Sequence, residues 1–211
     1  MNNKNHYHPK EERINVVSHF IGLQLSVLAL IALTIKSVYL ANVWYIVSFI
    51  VYGISMVILY LASTLYHNSK NPITRKRLNI FDHAAIYILI AGSYTPYTLV
   101  TLHGTTGWLL FGLTWGVAIA GVIFKLFYTG RFDKLSTILY VAMGWMVIIA
   151  IKPLINSLAP EGLFWLALGG VLYTIGAVLY SREKLNYNHA IFHIFVLLGS
   201  FSHFISIYFY V

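Results

Sequence analysis

The chain has 211 residues, of which 59% are hydrophobic and only 9% are charged. Soluble domains carry roughly 25% charged residues, so this composition excludes an ordinary soluble domain and predicts an integral membrane protein. A net charge of +8 would suggest nucleic-acid binding in a soluble protein, but here membrane topology explains it and no nucleic-acid partner is expected. The absence of cysteine excludes disulfides and thiolate metal sites.

Apolar stretches fill most of the chain. A hydrocarbon core about 30 Å thick needs roughly 20 apolar residues per helical span. Seven spans are predicted, at residues 15–35, 43–66, 82–101, 107–128, 135–155, 162–180 and 189–210. They predict an all-α integral membrane protein, a seven-transmembrane helix bundle that forms one domain over residues 15–211. A polar N-terminal tail of residues 1–14 precedes it. The loops are short, so neighbouring helices should pack antiparallel.

The basic residues give the expected orientation. Of the 14 Lys and Arg residues, all but Lys36 and Lys152 lie in the N-terminal region and in every second loop. Positive residues favour the cytoplasmic side of a membrane. We therefore expect a cytoplasmic N-terminus and an external C-terminus, in agreement with an odd number of spans.

Polar residues mark the cytoplasmic end of the first span. They are Glu12, Asn15, Ser18 and His19. Two interpretations remain open for them: they pack the helix against its neighbours, or they support a site formed by other helices.

The second span ends on the same side, near His67. Ser63 and His67 are four residues apart, so they share one face of a helix. Ionisable groups at membrane depth are costly, which makes each one a candidate functional residue. Two alternatives remain: His67 can be a residue at the edge of a loop, and Ser63 can hydrogen-bond back to its own helix.

The third span begins on the cytoplasmic side with Asp82 and His83. Asp82 is a candidate for proton transfer, but it can also be an N-cap or a first-turn acid favoured by the helix dipole. His83 points about 100° away from Asp82 on a helix. It is expected to contact residues of the site without binding the metal, or to pack against a neighbouring helix. Pro96 should disturb the helix further along this span.

The last span begins with His189-Ala-Ile-Phe-His193. Four residues make about one helical turn, so both imidazoles lie on one face, and such a pair can chelate a divalent metal, usually zinc. The metalloprotease pattern His-Glu-x-x-His is not present, because position 190 is Ala. His203 is about 15 Å further along the helix. It cannot bind the same metal, although it can hydrogen-bond another helix.

With the predicted topology, these residues share one depth near the cytoplasmic boundary. His67 then joins His189 and His193 in a set of three imidazoles, and three protein ligands with one open position are typical of a catalytic zinc site. Asp82 could orient a water or accept its proton, and Ser63 could donate a hydrogen bond to a developing oxyanion.

Three motifs, spread over residues 12–204, carry a resemblance to a known family. The first comprises Glu12, Asn15, Ser18, His19 and Gly22; the second Ser63, His67, Asp82 and His83; the third His189, His193, Gly199, Ser200, His203 and Phe204. Together they resemble the hemolysin III family, the bacterial branch of the progestin and adipoQ receptor superfamily, which includes adiponectin receptors and is related to alkaline ceramidases.

The resemblance implies a seven-helix bundle in the bacterial plasma membrane with its N-terminus inside. It also implies an intramembrane Zn²⁺ held by His67, His189 and His193, with Asp82 close to the metal-bound water. Our first hypothesis is a zinc-dependent hydrolase that cleaves an amide or ester bond of a membrane lipid. The alternative is a non-enzymatic, hemolysin-like pore former or regulator of membrane energetics with a structural zinc. The occupant of the fourth metal position separates the two.

Overall fold

The structure is a computed structural model and describes residues 7–182 and 184–211. Within these residues the fold is all helical, and seven helical spans are long and apolar enough to cross a membrane. Both findings confirm the predicted fold class. The α-helices are α1 (Pro9–Tyr39), α2 (Val43–Asn68), α3 (Pro72–Pro96), α4 (Gly104–Tyr128), α5 (Asp133–Gly144), α6 (Ile151–Ser157), α7 (Pro160–Tyr180) and α8 (Asn188–Tyr210).

Local sequence signals set the beginnings of several helices. Proline, which has a fixed φ and no N–H to satisfy, opens α1, α3 and α7. Asn42 caps α2 by accepting a hydrogen bond from the Trp44 N–H. Asn71 caps α3 by accepting hydrogen bonds from the N–H groups of Ile73 and Thr74. The connections at residues 40–42 and 69–71 are short, so the helices that they join run antiparallel.

Two spans contain irregular turns. The third span continues past Pro96 as a π-helical turn over Tyr97–Leu102, so the proline marks the point where the helix changes its winding. The fifth span consists of α5, a 3-10 turn over Met146–Ala150 and α6. The predicted continuous helix over residues 135–155 is thus interrupted near its middle.

Two predicted boundaries also change. The third span begins at Pro72 instead of residue 82, because the basic residues that follow Pro72 lower the local hydropathy without preventing a helix. α1 begins at Pro9, so the second half of the predicted tail of residues 1–14 is helical. Residues 1–6 lie outside the described part of the chain.

The bundle buries an apolar core together with many polar side chains, and it exposes large apolar side chains on its outer surface. The third span is the most buried, followed by α2 and α8. These three spans together form the centre of the bundle. Large apolar side chains such as Leu28, Leu109, Phe127 and Ile149 are exposed on the outer surface. In a bilayer such side chains face lipid, while the buried face of α1 carries Asn15, Ser18 and His19. This polar face lies next to the ends of α2 and α8.

Candidate metal centre

Three buried histidines from two helices meet at one point. His67 lies in the last turn of α2, and His189 and His193 lie in the first two turns of α8. One candidate ligand atom from each lies within 4.8 Å of those of the other two. The structure therefore brings together the three histidines predicted from the sequence, and such a group can hold a metal ion.

The spacing of two ring nitrogens suits a small tetrahedral ion. The Nε2 atoms of His67 and His189 are 3.1 Å apart. Two nitrogens bound to zinc at about 2.0–2.1 Å with a tetrahedral angle lie about 3.4 Å apart. A shift of a few tenths of an ångström therefore accommodates the ion.

Each of the three histidines also has a partner for its other ring nitrogen. The Nδ1 atom of His67 lies 2.6 Å from Oε2 of Glu12. That of His189 lies 2.9 Å from the hydroxyl of Tyr7, and that of His193 lies 3.4 Å from the hydroxyl of Ser18. When each Nδ1–H donates to these oxygens, every Nε2 lone pair is left free. Metal-ligating histidines are held in this way, so the residues present fit a metal.

All three of these partners belong to α1 or to the residue segment that leads into it. The Ser18 hydroxyl donates to the carbonyl of Asn15 at 3.1 Å, which leaves its lone pair for the imidazole. Nδ2 of Asn15 lies 3.5 Å from Nδ1 of His67. These contacts place Glu12, Asn15 and Ser18 beside the three histidines, and their supporting role stays a prediction.

His19 contacts the site in a different way. Its ring stacks on that of His193, with centroids 3.5 Å apart and planes inclined by 8°. Both His19 ring nitrogens, Oδ1 of Asn15 and Oγ of Ser63 are buried without a hydrogen-bond partner among the described residues. Buried polar atoms usually have partners. Their concentration around the histidines points to a site built for additional polar ligands such as water.

The alternative interpretations of Ser63, His67 and Asp82 can now be judged. His67 lies in the last turn of α2, next to the loop, but its side chain is buried among the helices and does not face solvent. Asp82 lies in the third turn of α3, whose N-cap is Asn71, so Asp82 is neither a cap nor a first-turn acid. The Ser63 hydroxyl makes no hydrogen bond back to its own helix within the described residues. The structure therefore shows neither the capping role of Asp82 nor the back-bonding of Ser63, and the catalytic roles of these residues stay predictions.

Asp82 and Ser63 face a cavity of about 130 Å³ that also borders His189 and His193. Asp82 is not one of the three residues whose ligand atoms cluster within 4.8 Å. Its buried carboxyl group lines the cavity beside the three histidines, where it can contact a molecule that enters the cavity.

His83 and His203 do not belong to the histidine group. His83 lines the same cavity, and its carbonyl accepts a hydrogen bond from the Tyr140 hydroxyl at 2.9 Å. His203 lies 3.2 Å from the Leu166 carbonyl through Nε2, which confirms the predicted link to another helix. His203 also packs so closely on α7 that a Cβ at Gly169 would lie 2.1 Å from its ring.

Three residues at the site were missed by the sequence analysis. Tyr7 pairs with His189, and burial raises the pKa of its phenol, so it stays neutral as a hydrogen-bonding group. Glu11 accepts a hydrogen bond from the His189 backbone N–H at 3.2 Å. Arg75 binds Glu12 and donates to the carbonyls at the end of α2. The only signal in the sequence was the acidic pair at residues 11 and 12.

Comparison with known proteins agrees with this geometry. The sequence model of the family described as "Haemolysin-III related" matches residues 7–204. The chain belongs to this family. It is 49% identical to "Hemolysin-3" of Bacillus cereus over 202 residues, which cover 96% of this chain and 92% of that protein. This membership and the seven apolar spans make it a multi-pass protein of the cell membrane.

Two further relatives set the range of the similarity. The "Hemolysin-3 homolog" of Bacillus subtilis (strain 168) is 47% identical over 201 residues, covering 95% of this chain and 94% of the relative. The human "Monocyte to macrophage differentiation factor" is 26% identical over 164 residues, covering 75% and 68%. The human relative supports the wider superfamily suggested by the motifs.

Proposed function

We propose that this hemolysin III protein is a zinc-dependent hydrolase that cleaves an amide or ester bond of a membrane lipid. The observation that carries the proposal is the group of three buried histidines with engaged Nδ1 atoms, beside a cavity that contains a carboxyl group. Three neutral imidazoles suit zinc among the common divalent metals. A site with three protein ligands leaves one position for water or substrate.

Zinc held by His67, His189 and His193 would lower the pKa of a bound water toward about 7 and would polarise a carbonyl group. The chain's own residues supply the remaining steps. Asp82 orients the water and accepts its proton as the water oxygen bonds to the carbonyl carbon. Ser63, whose buried hydroxyl lines the same cavity as Asp82, donates a hydrogen bond to the carbonyl oxygen. Asp82 then passes the proton to the leaving nitrogen or oxygen as its bond to the carbonyl carbon breaks.

The surroundings of the cavity suit a lipid. Its walls carry Leu59, Ile86, Leu89, Phe192 and Val196, which accept an apolar chain but not an extended polar substrate. With the orientation proposed from the basic residues, the site lies at the depth of the inner leaflet. The lipid would reach it from that leaflet.

The test is a metal analysis and a rate measurement on purified protein. Wild type should hold about one zinc per chain and hydrolyse a member of a panel of acyl amides and acyl esters. Asp82→Asn should keep its zinc but lose roughly 10²-fold or more in rate, the usual scale for general acid–base catalysis. Glu161→Gln is the control, because Glu161 is an exposed first-turn acid of α7.

Two results would count against the proposal. Wild-type protein that is loaded with zinc and hydrolyses nothing across the panel would favour the non-enzymatic alternative. In that case the metal would only join α2 to α8, and the name of the Bacillus cereus relative would favour a pore-forming role. A rate unchanged by Asp82→Asn would keep the hydrolase but remove Asp82 from its mechanism.

A further inference from the structure

The cavity beside the histidines, which we call the chamber, adjoins an apolar space on one side. That space has a volume of about 280 Å³ and runs between α3, α6, α7 and α8. We call it the apolar arm. Its walls include Val147, Ile151, Leu154, Leu163 and Leu166. Both spaces share Tyr94, Trp145, Gly170 and His203 as lining residues, so they adjoin each other at these side chains.

On its other side the chamber adjoins a polar space of about 670 Å³, which we call the vestibule. The vestibule and the chamber share His83, Asp133, Thr137 and Tyr180, so the two spaces adjoin at these four residues, which we call the neck. The lining of the vestibule combines Leu185 and tyrosine rings with polar side chains, among them Glu11, Asn79, Lys134, Asn186 and Asn188. No comparable run of aliphatic side chains lines its described part.

The histidines lie near the neck. The ring of Tyr180 is 5.3 Å from that of His189, centroid to centroid. Along α7, Gly170 is about 15 Å from Tyr180 and Leu163 is about 25 Å from it, at 1.5 Å per residue. A substrate bond at the metal would therefore have a long apolar passage on one side and a polar space on the other.

From this arrangement we propose that the substrate is a single-chain acyl amide or ester with a small polar leaving group. The acyl chain occupies the apolar arm, and the leaving group lies in the vestibule. A lipid with a second long chain on its leaving group would have to place that chain among the polar side chains of the vestibule. Moving the chain there from the bilayer provides no favourable free energy of apolar burial. The inference rests on the proposed hydrolase function and specifies its substrate class.

The hydrolysis divides the products between the two spaces. Water adds to the carbonyl carbon, and the bond to nitrogen or oxygen breaks. The fatty acid then stays in the apolar arm, and the protonated amine or the alcohol leaves through the neck and the vestibule. No oxidant or reductant takes part.

The test compares two substrates with the same acyl chain, hexadecanoyl-glycine and the ceramide with a hexadecanoyl chain. We expect kcat/KM for hexadecanoyl-glycine to exceed that for the ceramide by about tenfold or more, because one chain fits one arm. An equal or reversed preference would overturn the inference while leaving the hydrolase intact.

A binding measurement separates this inference from the hydrolase itself. Zinc-loaded Asp82→Asn protein should bind hexadecanoyl-glycine about tenfold or more tightly than the ceramide. A second outcome is that the wild type hydrolyses no compound of the panel while the variant still binds the two compounds in this order. In that case the enzymatic proposal fails, and the assignment of the acyl chain to the apolar arm and of the leaving group to the vestibule holds. Tighter binding of the ceramide would contradict the assignment.

A substitution at the junction tests the apolar arm. A Cβ at Gly170 would meet only Trp145 ring atoms, at 3.9 and 4.0 Å, so Gly170→Leu should fold and fill the passage. It should weaken hexadecanoyl-glycine turnover or binding about tenfold and leave octanoyl-glycine unchanged. The matched control is Gly116→Leu, because Gly116 is exposed on α4 with nothing within 4 Å of a Cβ. An unchanged chain-length preference in folded Gly170→Leu protein would refute the position of the acyl chain.

Discussion

Substitution of Glu12 is the sharpest test of whether α1 stabilises metal binding at the proposed site. The two carboxylate oxygens of Glu12 contact different partners: Oε2 lies 2.6 Å from Nδ1 of His67, and Oε1 binds the Arg75 guanidinium. A carboxylate that accepts the Nδ1–H of a ligand histidine fixes the ring and makes its other nitrogen a better donor to the metal. Glu12→Gln keeps the size of the side chain but removes the charge.

The size of the effect follows from the contact. Loss of an outer partner of a metal ligand usually weakens metal binding by about 10–100-fold, or about 1.4–2.8 kcal/mol. The short ionic contact of Glu12 places it in that range. The Ser18 contact with His193 is neutral and 3.4 Å long, and charge-assisted hydrogen bonds are roughly twice as strong as neutral ones. Ser18→Ala should therefore weaken zinc binding by less than about tenfold.

The measurement is the zinc Kd of purified protein, determined by competition with a chelator. Arg75 keeps its contacts with the carbonyls of Tyr66, His67 and Ser69 in Glu12→Gln, so the variant should fold, and its Tm is recorded as a check. A folded Glu12→Gln protein with the zinc Kd of the wild type would refute the reasoning. So would a larger loss in Ser18→Ala than in Glu12→Gln.

Removal of both α8 ligands by His189→Ala with His193→Ala should abolish stoichiometric zinc, measured by elemental analysis; full retention would refute the site. Tyr7→Phe should raise the zinc Kd by less than Glu12→Gln does, because a neutral hydroxyl is lost, and a chelator competition assay would detect it. The orientation predicts that a cysteine at Lys152 reacts with a membrane-impermeant reagent in intact cells and that one at Arg77 does not. Labelling at position 77 would reverse the topology.

Matched controls accompany these variants. His103→Asn replaces a histidine in the turn before α4, far from the metal group, and should keep its zinc. Tyr39→Phe removes a hydroxyl at the opposite end of α1, where the side chain is 89% exposed. The natural chain has no cysteine, so each labelling variant contains a single reactive thiol.

Hydropathy predicted the seven spans because each contains a continuous apolar stretch. It failed where the boundaries of a helix do not coincide with the boundaries of its apolar stretch. The first part of α3 is helical but basic, so the span was placed too late. The break between α5 and α6 lies in a uniformly apolar sequence, which gives no sign of a 3-10 turn. The pair His189 and His193 was visible because both lie on one turn of one helix.

The outer contacts of the site could not be predicted in the same way. Tyr7 is 182 positions from the histidine it touches. The guanidinium of Arg75 reaches Glu12, 63 positions away, and the order of packing around the bundle determines that contact. Arg75 also belongs to a basic cluster that topology already explained. Contacts of this range depend on how helices are arranged in space, which a single sequence does not encode locally.

The position of the three histidines has a consequence for how the protein is made. Two of them belong to α8, and the hydroxyl groups that contact their Nδ1 atoms belong to α1 and to the residues just before it. During synthesis the early helices can insert and pair, but before α8 is made only His67 of the three clustered histidines is present. With the zinc proposed above, the ion can be held only after α8 has packed against α1 and α2, so a loaded site would mark a chain in which these three helices have assembled.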